Sequence, residues 1–411
     1  MEEKDRTILH CDMNSFFCSV ELLDHPELLK KPVAVAGSED SRHGIILAKN
    51  QIAKKYGIET AEPIYFAMKK CPDLVLLDPH REKYSYYCRT INQIYLSYTD
   101  LVEPFSIDES WLDVTGSLKL FQKTGKELAD EIRRRVFQET GLTLSAGVSF
   151  NKTFAKMCSD YKKPDATTEI TRENYQQLLW PLPAGDLFFV GKATADKLAT
   201  MNIKTIGAIA RADEELLARA FGKHGLSMKR IASGIDPDPV HPYDEKREIK
   251  SVGNGITFRR DLVSEDDVRT AVSALADRVS MRLRSHGLRC KGVKVDIKNP
   301  QFVTISRQTQ LSYATDLSSD LFRAVMELFA ENWYYGNPIR LITVTAINLT
   351  QDAEAESAQL SIFDGEEGAS YDERQKHLET AVDHIRSRFG KNSIIKGGLV
   401  HNDLGIVIDK E

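Results

Sequence analysis

Cysteine is scarce in this 411-residue chain. None of the six (Cys11, Cys18, Cys71, Cys88, Cys158, Cys290) stands in a C-x-x-C pair. That spacing argues against a zinc site and a disulfide framework, and for a reduced cytosol. Long apolar runs are missing too: no window approaches the ~18–20 consecutive apolar residues of a membrane span. The first residues, Met1-Glu2-Glu3-Lys4-Asp5-Arg6, lack the apolar run of a signal peptide, so a cytoplasmic location without membrane contact is expected. An excess of basic charge is absent as well: 55 Lys and Arg against 60 Asp and Glu give −5. Net charge alone therefore announces no nucleic-acid partner. No internal repeat is visible. What is present, 42% hydrophobic and 28% charged residues, excludes wholesale disorder. The length allows roughly two to four domains.

The distribution of charge says more than its sum. Residues 247–350 carry 15 basic and 11 acidic residues, a net of +4. Residues 351–411 carry 7 and 13, a net of −6, and 1–246 carry −3. A basic module followed by an acidic tail is compatible with a phosphate-tracking domain and a solvated tether, although charged faces are usually just solvated.

Strand and helix patterns alternate up to about residue 166. Arg6–Cys11 reads as a strand, broken at Asp12-Met13-Asn14-Ser15. Phe16–Leu23 has helical spacing, with Asn14 or Ser15 able to cap it. Pro32–Gly37 reads as a strand, and Ile45–Tyr56 as strand then helix. Leu101–Val114 reads as a hairpin around Ile107-Asp108-Glu109. Leu142–Val148 is a strand, followed by a helix over 151–160. This mixture predicts an α/β or α+β domain. From about 170 to 233 only short helical patterns remain. The run Ile235-Asp236-Pro237-Asp238-Pro239-Val240-His241-Pro242 can be neither helix interior nor central strand, and reads as a linker. Residues 250–350 predict a β-α-β-β-α-β order. Residues 351–373 hold eight acids and no base, so they are expected to be extended. A final amphipathic helix is expected over 372–389, with Leu378, Ala381, Val382, Ile385 and Phe389 on one face.

Three groups of residues could carry chemistry. Asp12 closes a strand beside a helix start, where an Asp is ordinarily a cap. Ser106-Ile107-Asp108-Glu109-Ser110 offers two carboxylates at a turn, where both can converge on one cation. With a third carboxylate they suit Mg²⁺, a hard ion that takes oxygen ligands and shares its shell with phosphate. Phe16 and Phe17 follow Asp12; neighbouring helical residues point ~100° apart, so both cannot centre one buried stripe, and Phe16 is the better core residue. Lys54 and the pair Lys162-Lys163 are ordinary solvated lysines unless a metal and a helix N-terminus lie near, where they could hold a triphosphate.

Taken together, these residues resemble a known family. Asp12-Met13-Asn14-Ser15-Phe16-Phe17-Cys18-Ser19-Val20-Glu21, Ser106-Ile107-Asp108-Glu109-Ser110-Trp111-Leu112-Asp113-Val114, Ser145-Ala146-Gly147-Val148-Ser149 and Lys163-Pro164 are similar to the motifs of Y-family DNA polymerases, in the bacterial DinB-like branch. The motifs keep the family's order over about residues 6–350. The resemblance implies an α+β multidomain fold, a right-hand polymerase core plus a βαββαβ little-finger domain. The expected parts are a palm at 1–26 and 78–166, small fingers at 27–77, a helix-hairpin-helix-like thumb at 167–234, a linker at 235–249, a DNA-binding little finger at 250–350 and an acidic tail at 351–411. It implies that Asp12, Asp108 and Glu109 are catalytic and, with the Met13 carbonyl, hold two Mg²⁺ ions. It makes Phe17 the steric gate against ribonucleotides. It turns the Phe16 and Phe17 amides and Lys163 toward the triphosphate.

Some positions depart from the family pattern. Where a Thr, a Tyr and an Arg usually contact the nucleotide, this chain has Ala48, Gln51 and Lys54, which predicts a looser hold and a roomier pocket roof. Phe189-Val190-Gly191-Lys192 replaces a Gly-Val-Gly hairpin, with Gly191 and Lys192 still expected to meet DNA phosphate. In the little finger, Arg259, Arg260, Lys291, Lys294, Lys298 and Arg307 are expected to track the duplex backbone. Gln359-Leu360-Ser361-Ile362-Phe363 resembles a sliding-clamp-binding pentapeptide, although about 48 residues follow it. The expected activity is error-prone, translesion, template-directed DNA synthesis by a monomer from deoxynucleoside triphosphates on primer–template DNA. Two other readings stay open: another palm-type nucleotidyl transferase, such as a cyclase, and a non-catalytic DNA- and clamp-binding adaptor. Intact Asp12, Asp108 and Glu109 weigh against the adaptor.

Overall fold

The computed structural model describes residues 6–37, 44–245, 248–351, 366–400 and 402–406. They fall into two compact units that divide near residue 246. The expected palm, fingers and thumb lie in the first, the expected little finger and tail in the second.

The first unit is built around β1 (Ile8–Met13), every residue of which is buried. It lies in the middle of a sheet of order β5-β6-β1-β7-β8, with β5 Val102–Pro104, β6 Glu109–Asp113, β7 Leu144–Ser149 and β8 Thr167–Glu169. Antiparallel pairing sets Asp12 opposite Glu109 on β6 and opposite Ser145 on β7. A strand with neighbours on both sides and covered faces must be apolar throughout, which is why the polar His10 and Asp12 stand out.

Helices α1 (Phe16–Leu22), α4 (Arg81–Leu96), α5 (Leu118–Phe121) and α6 (Gly125–Thr140) share a core with the sheet through Phe16, Val20, Ile91, Ile94, Phe121, Leu128 and Ile132. Thr124 and Glu127 form a capping box at the start of α6, and Gly141 ends it at φ 73°. Helix α7 (Lys152–Tyr161) packs directly on β7. Gly147 makes this possible: a Cβ there would lie 1.9 Å from the Ala155 carbonyl oxygen and 2.5 Å from the Ser159 nitrogen.

A smaller sheet, β3-β2-β4, with β2 Val33–Ala36, β3 Ile46–Lys49 and β4 Val75–Leu77, carries α2 (Gln51–Lys55) and α3 (Ile64–Lys70). Short helices, among them α8 (Tyr175–Leu179), α9 (Lys192–Thr200), α10 (Ile206–Arg211), α11 (Glu214–Phe221) and α12 (Lys223–Ala232), enclose their own core around Leu179, Leu198, Ile209 and Leu217. The proline-rich stretch behaves differently from a free tether. Val240 is buried against Ile8 and Trp111, the Asp236 carboxylate accepts from the Thr153 amide at 3.0 Å, and Arg6 donates to the Asp236 and Asp238 carbonyls. Proline removes regular structure, but side-chain and carbonyl partners still fix the path.

The second unit has the expected order: β9 (Ser251–Leu262), α13 (Glu265–Ser285), β10 (Leu288–Lys298), β11 (Thr304–Thr315), α14 (Ser318–Asn332) and β12 (Ile339–Gln351). The sheet runs β11-β10-β12-β9, all antiparallel, with both helices on one face. The last helix, α15 (Glu366–Phe389), begins inside the acidic run expected to be extended. It docks through charge rather than through its apolar face. Glu379 accepts from the Ser318 amide at the start of α14, Arg284 pairs with Glu379 and with Asp383, and Arg386 pairs with Asp277 at 2.9 Å. Leu378, Ile385 and Phe389 stay exposed. The segment beyond returns to the core through Leu399, Leu404 and Ile406, with the Arg259 amide donating to the Leu404 carbonyl at 2.8 Å.

Candidate active site

The sheet register brings the candidate carboxylates together. Asp12 lies at the end of β1, Glu109 directly opposite, and Asp108 on the turn just before Glu109. The Met13 amide donates to the Asp108 carbonyl at 3.0 Å, which ties the turn to the strand. Asp108 itself accepts from the Ser106 hydroxyl at 2.6 Å.

Each carboxylate on the strands meets a lysine. Lys163 lies 2.6 Å from Asp12, and Lys156 lies 2.7 Å from Glu109. A further pair, Lys152 with Glu103, is 2.6 Å apart. Lys152 and Lys156 are one helical turn apart on α7, so the contact at Gly147 that seats the helix also aims this lysine row at the acids. Among the described residues no three His, Cys, Asp or Glu side chains gather at one point with metal-holding geometry. The donor chemistry nevertheless fits a hard cation. Burial pushes Asp12 up to about 7 in spite of Lys163, with Glu109 beside it adding to the rise, and burial also raises Asp108. Two facing carboxylates and a third on the adjoining turn are hard oxygen donors of the kind a divalent ion takes.

Phe16 and Phe17 divide as their helical spacing requires. Phe16 is buried in the core, whereas Phe17 is half-buried and stacks on Tyr84 with centroids 4.2 Å apart and planes 11° from parallel. The Tyr84 hydroxyl donates to the buried Glu21, so the surface under Phe17 is held rigidly. The expected cap of α1 is not made: Ser15 takes a left-handed conformation at φ 51° and forms no side-chain cap. The first amides of α1 therefore lack a capping oxygen.

The finger residues take three different positions. Ala48 pairs with Val35 in the small sheet and packs near Cys18 and Leu22. Gln51, first residue of α2, donates to the Ser15 hydroxyl at 3.4 Å. Lys54 is exposed. In the helical module, Gly191 stands at the start of α9 and Lys192 is exposed. Phe189 keeps a left-handed backbone at φ 70° with its side chain 61% exposed.

The second unit separates the expected basic contacts. Lys294 and Lys298 alternate with the buried Val293, Val295 and Ile297, so they project from the sheet face opposite the helices; Lys294 is paired with Asp296 at 3.0 Å. Lys291 and Arg259 are exposed. Two of the expected contacts also hold internal partners. Arg260 pairs with Asp267 (2.8 Å) and Asp403 (2.7 Å), and Arg307 donates to Asn332 of α14 at 2.8 Å. Strand parity turns both toward these acceptors, while Arg307 stays exposed and Arg260 partly so. The pentapeptide 359–363 lies outside the described residues.

Reading the sequence did not single out Lys156, Lys152, His10 or Tyr84. The four-residue spacing of the two lysines on α7 is the signal that could have found them. His10 is buried; its Nδ1 lies 2.8 Å from the Ser159 hydroxyl, and its Nε2 lies 3.9 Å from Glu109 with no hydrogen-bond partner. Burial, then Lys156 and Lys163, hold its pKa well below the usual value.

Comparison with known proteins gives the family and the fold. Residues 11–160 match the impB/mucB/samB family, and residues 249–362 match that family's C-terminal domain. DNA polymerase IV of Acetivibrio thermocellus is 42% identical over 97% of this chain and 98% of its own length. DNA polymerase IV 1 of Bacillus subtilis is 36% identical over 98% and 95%. A solved Y-family DNA polymerase chimera matches the fold with a TM-score of 0.75 at 21% identity, over 84% of this chain and all of that one. The fold and the facing carboxylates define a palm-type polymerase class. Within it, the chain belongs to the DinB-like branch of the Y-family DNA polymerases.

Proposed function

We propose that this chain extends a DNA primer across damaged template positions, in translesion synthesis. The observation that carries the reading is the facing pair Asp12 and Glu109, with Asp108 on the adjoining turn. In the reaction, the primer 3′-hydroxyl oxygen bonds to the α-phosphorus of a deoxynucleoside triphosphate. The bond from that phosphorus to the bridging oxygen breaks, pyrophosphate leaves, and the hydroxyl proton passes to solvent or a nearby base. Asp12, Asp108, Glu109 and the Met13 carbonyl would hold two Mg²⁺ ions, which supply positive charge to the triphosphate and ease loss of the hydroxyl proton. The uncapped start of α1 and the Lys163 ammonium offer donors for phosphate oxygens. Phe17, backed by Tyr84, fills the space of a ribose 2′-hydroxyl. The pocket roof formed by Ala48 and Gln51 presses little on the base pair, and loose shape discrimination yields low fidelity.

Beyond the core, Lys291, Lys294, Lys298 and Arg259 neutralise duplex phosphates without reading sequence. Residues 359–363 engage a sliding clamp, and the chain acts as a monomer. No described helix is long and apolar enough to cross a membrane.

Primer extension with Mg²⁺ on intact and minor-groove-guanine-adduct templates tests the reading. Extension past the adduct with deoxynucleotides is expected, together with rejection of ribonucleotides and no product from Asp108→Ala. Phe17→Ala should admit ribonucleotides about 10–200-fold better, the range for relieving one steric contact in a pocket. Undiminished extension by Asp108→Ala would refute the carboxylate assignment.

A further inference from the structure

Lys156 is a closely held cation beside the carboxylates. Its side chain is only 12% exposed and donates to Glu109 Oε2 at 2.7 Å. The rings of Phe105 and Phe188 flank its ammonium at 5.1 Å and 5.3 Å. Next to the same carboxylate oxygen stands a second group with nothing to bond. The Ser159 hydroxyl donates to the Lys156 carbonyl at 2.7 Å, so it accepts from Nδ1–H of His10 at 2.8 Å. That leaves Nε2 of His10 with a bare lone pair, fully buried, 3.9 Å from Glu109 Oε2 and without a partner. A buried acceptor left unsatisfied is costly and calls for an explanation.

We propose that Lys156 is a two-position residue, bound to Glu109 when the site is empty and moving to Nε2 of His10 when Glu109 turns to a bound divalent cation. This rests on the reading that Asp12, Asp108 and Glu109 hold such a cation. The electrostatics demand a second position. A divalent cation on Glu109 repels the ammonium bonded to its Oε2, and an ammonium flanked by two phenyl rings needs an acceptor once released. The imidazole lone pair is a neutral acceptor beside the oxygen that Lys156 leaves. Its buried place keeps water from competing. Lys156 and His10 are positioning residues: they set when and how Glu109 is free to bind, and need not touch substrate.

The test is Mn²⁺ binding to the full-length chain without DNA, read by electron paramagnetic resonance. Lys156→Met removes the competitor and should tighten Mn²⁺ binding about tenfold, the scale of one charge-assisted hydrogen bond. His10→Asn places an amide nitrogen where Nδ1 stood, keeps the bond to Ser159 and deletes only the Nε2 acceptor. It should weaken Mn²⁺ binding about three- to tenfold. In the double variant the His10→Asn effect should vanish, because His10 acts only through Lys156. Lys156→Arg should restore the dependence on His10. Thermal melts of each variant exclude unfolding, and Lys156→Gln replaces Lys156→Met if the latter melts early. An undiminished His10→Asn effect in the Lys156→Met background, or weaker Mn²⁺ binding in Lys156→Met, overturns the proposal. Mn²⁺ binding indifferent to both Asp12→Ala and Glu109→Gln locates the failure in the cation reading itself, and the proposal falls with it.

Discussion

Gly147→Ala is the smallest change that should displace the whole row of lysines. The added methyl would sit 1.9 Å from the Ala155 carbonyl oxygen, 2.5 Å from the Ser159 nitrogen and 2.6 Å from the Cys158 Cβ. Two of these neighbours are backbone, so no rotamer change relieves the clash. Helix α7 must move about 1.5 Å from β7 to reach ordinary contact distance. Overpacking of this kind costs about 3 kcal/mol, the upper end for an added methyl in a tight core. In a unit of this size that lowers Tm by about 6–12 °C. The functional loss should exceed the loss of stability. Lys152, Lys156 and Ser159 ride on α7, and Lys163 follows it, so their contacts with Glu103, Glu109, His10 and Asp12 all shift. A misplacement of about 1 Å at a reacting centre costs roughly 100-fold in rate. Single-turnover primer extension well below the variant's own Tm separates the two effects. A variant that melts like the parent, or melts early yet extends at the parental rate, would show that α7 does not set the site's geometry.

Other outcomes follow from the same geometry. Gln51→Tyr should lower the KM for nucleotide by adding a ring at the pocket roof, even though it gives up the bond to Ser15; an equal or higher KM in steady-state kinetics counts against the roof assignment. Lys298→Ala should cut the slope of log K against log salt for duplex binding by about 0.9 and leave Tm unchanged, whereas Arg260→Ala should lower Tm and leave the slope alone. The reverse pattern in salt titrations would return Arg260 to the DNA surface. Acid should weaken the second unit through the same arginine. Arg260, its largest influence, holds Asp267 below the usual carboxylate range. A carboxylate whose folded pKa is depressed stabilises fully above its unfolded pKa of about 4 and loses that contribution as pH falls further. Below about pH 4 the parent should therefore lose stability faster than Arg260→Ala, and parallel acid limbs in denaturation curves would contradict this.

Much of the architecture was legible because it depends on short-range pattern. The hairpin around Asp108, the βαββαβ order and the helix from Glu265 all follow from period, turn residues and caps, and so does the first strand, although it runs on through Asp12 to Met13 instead of breaking at Asp12. The cases that went otherwise share a cause. Residues 235–249 read as a linker or domain boundary because proline prevents regular structure, and the two units divide within them; what the pattern did not show is that Asp236 and Val240 are fixed by partners far away in the chain. The last helix was legible by its apolar stripe, but the stripe did not tell how it docks: it docks by Glu379, Asp383 and Arg386, because Ser318, Arg284 and Asp277 happen to face it. Arg260 and Arg307 were read only as DNA contacts, and both also meet internal partners, Asp267, Asp403 and Asn332, that no local run of sequence announces.

Which residues are candidates for the chemistry was thus legible in the chain itself. Carboxylates at a strand end and a turn, an aromatic pair at a helix start and a βαββαβ module are local features, and their order along the sequence is specific enough to mark the family. Which partners those residues meet was settled only by folding. Asp12 faces Glu109 because two strands pair in one register, and a one-residue slip would turn them to opposite faces. Lys156 reaches Glu109, and His10 keeps an unsatisfied nitrogen beside it, because a glycine lets one helix settle onto one strand. Pairings between distant segments depend on register and on how closely backbones approach, and neither quantity is written in any local run of residues.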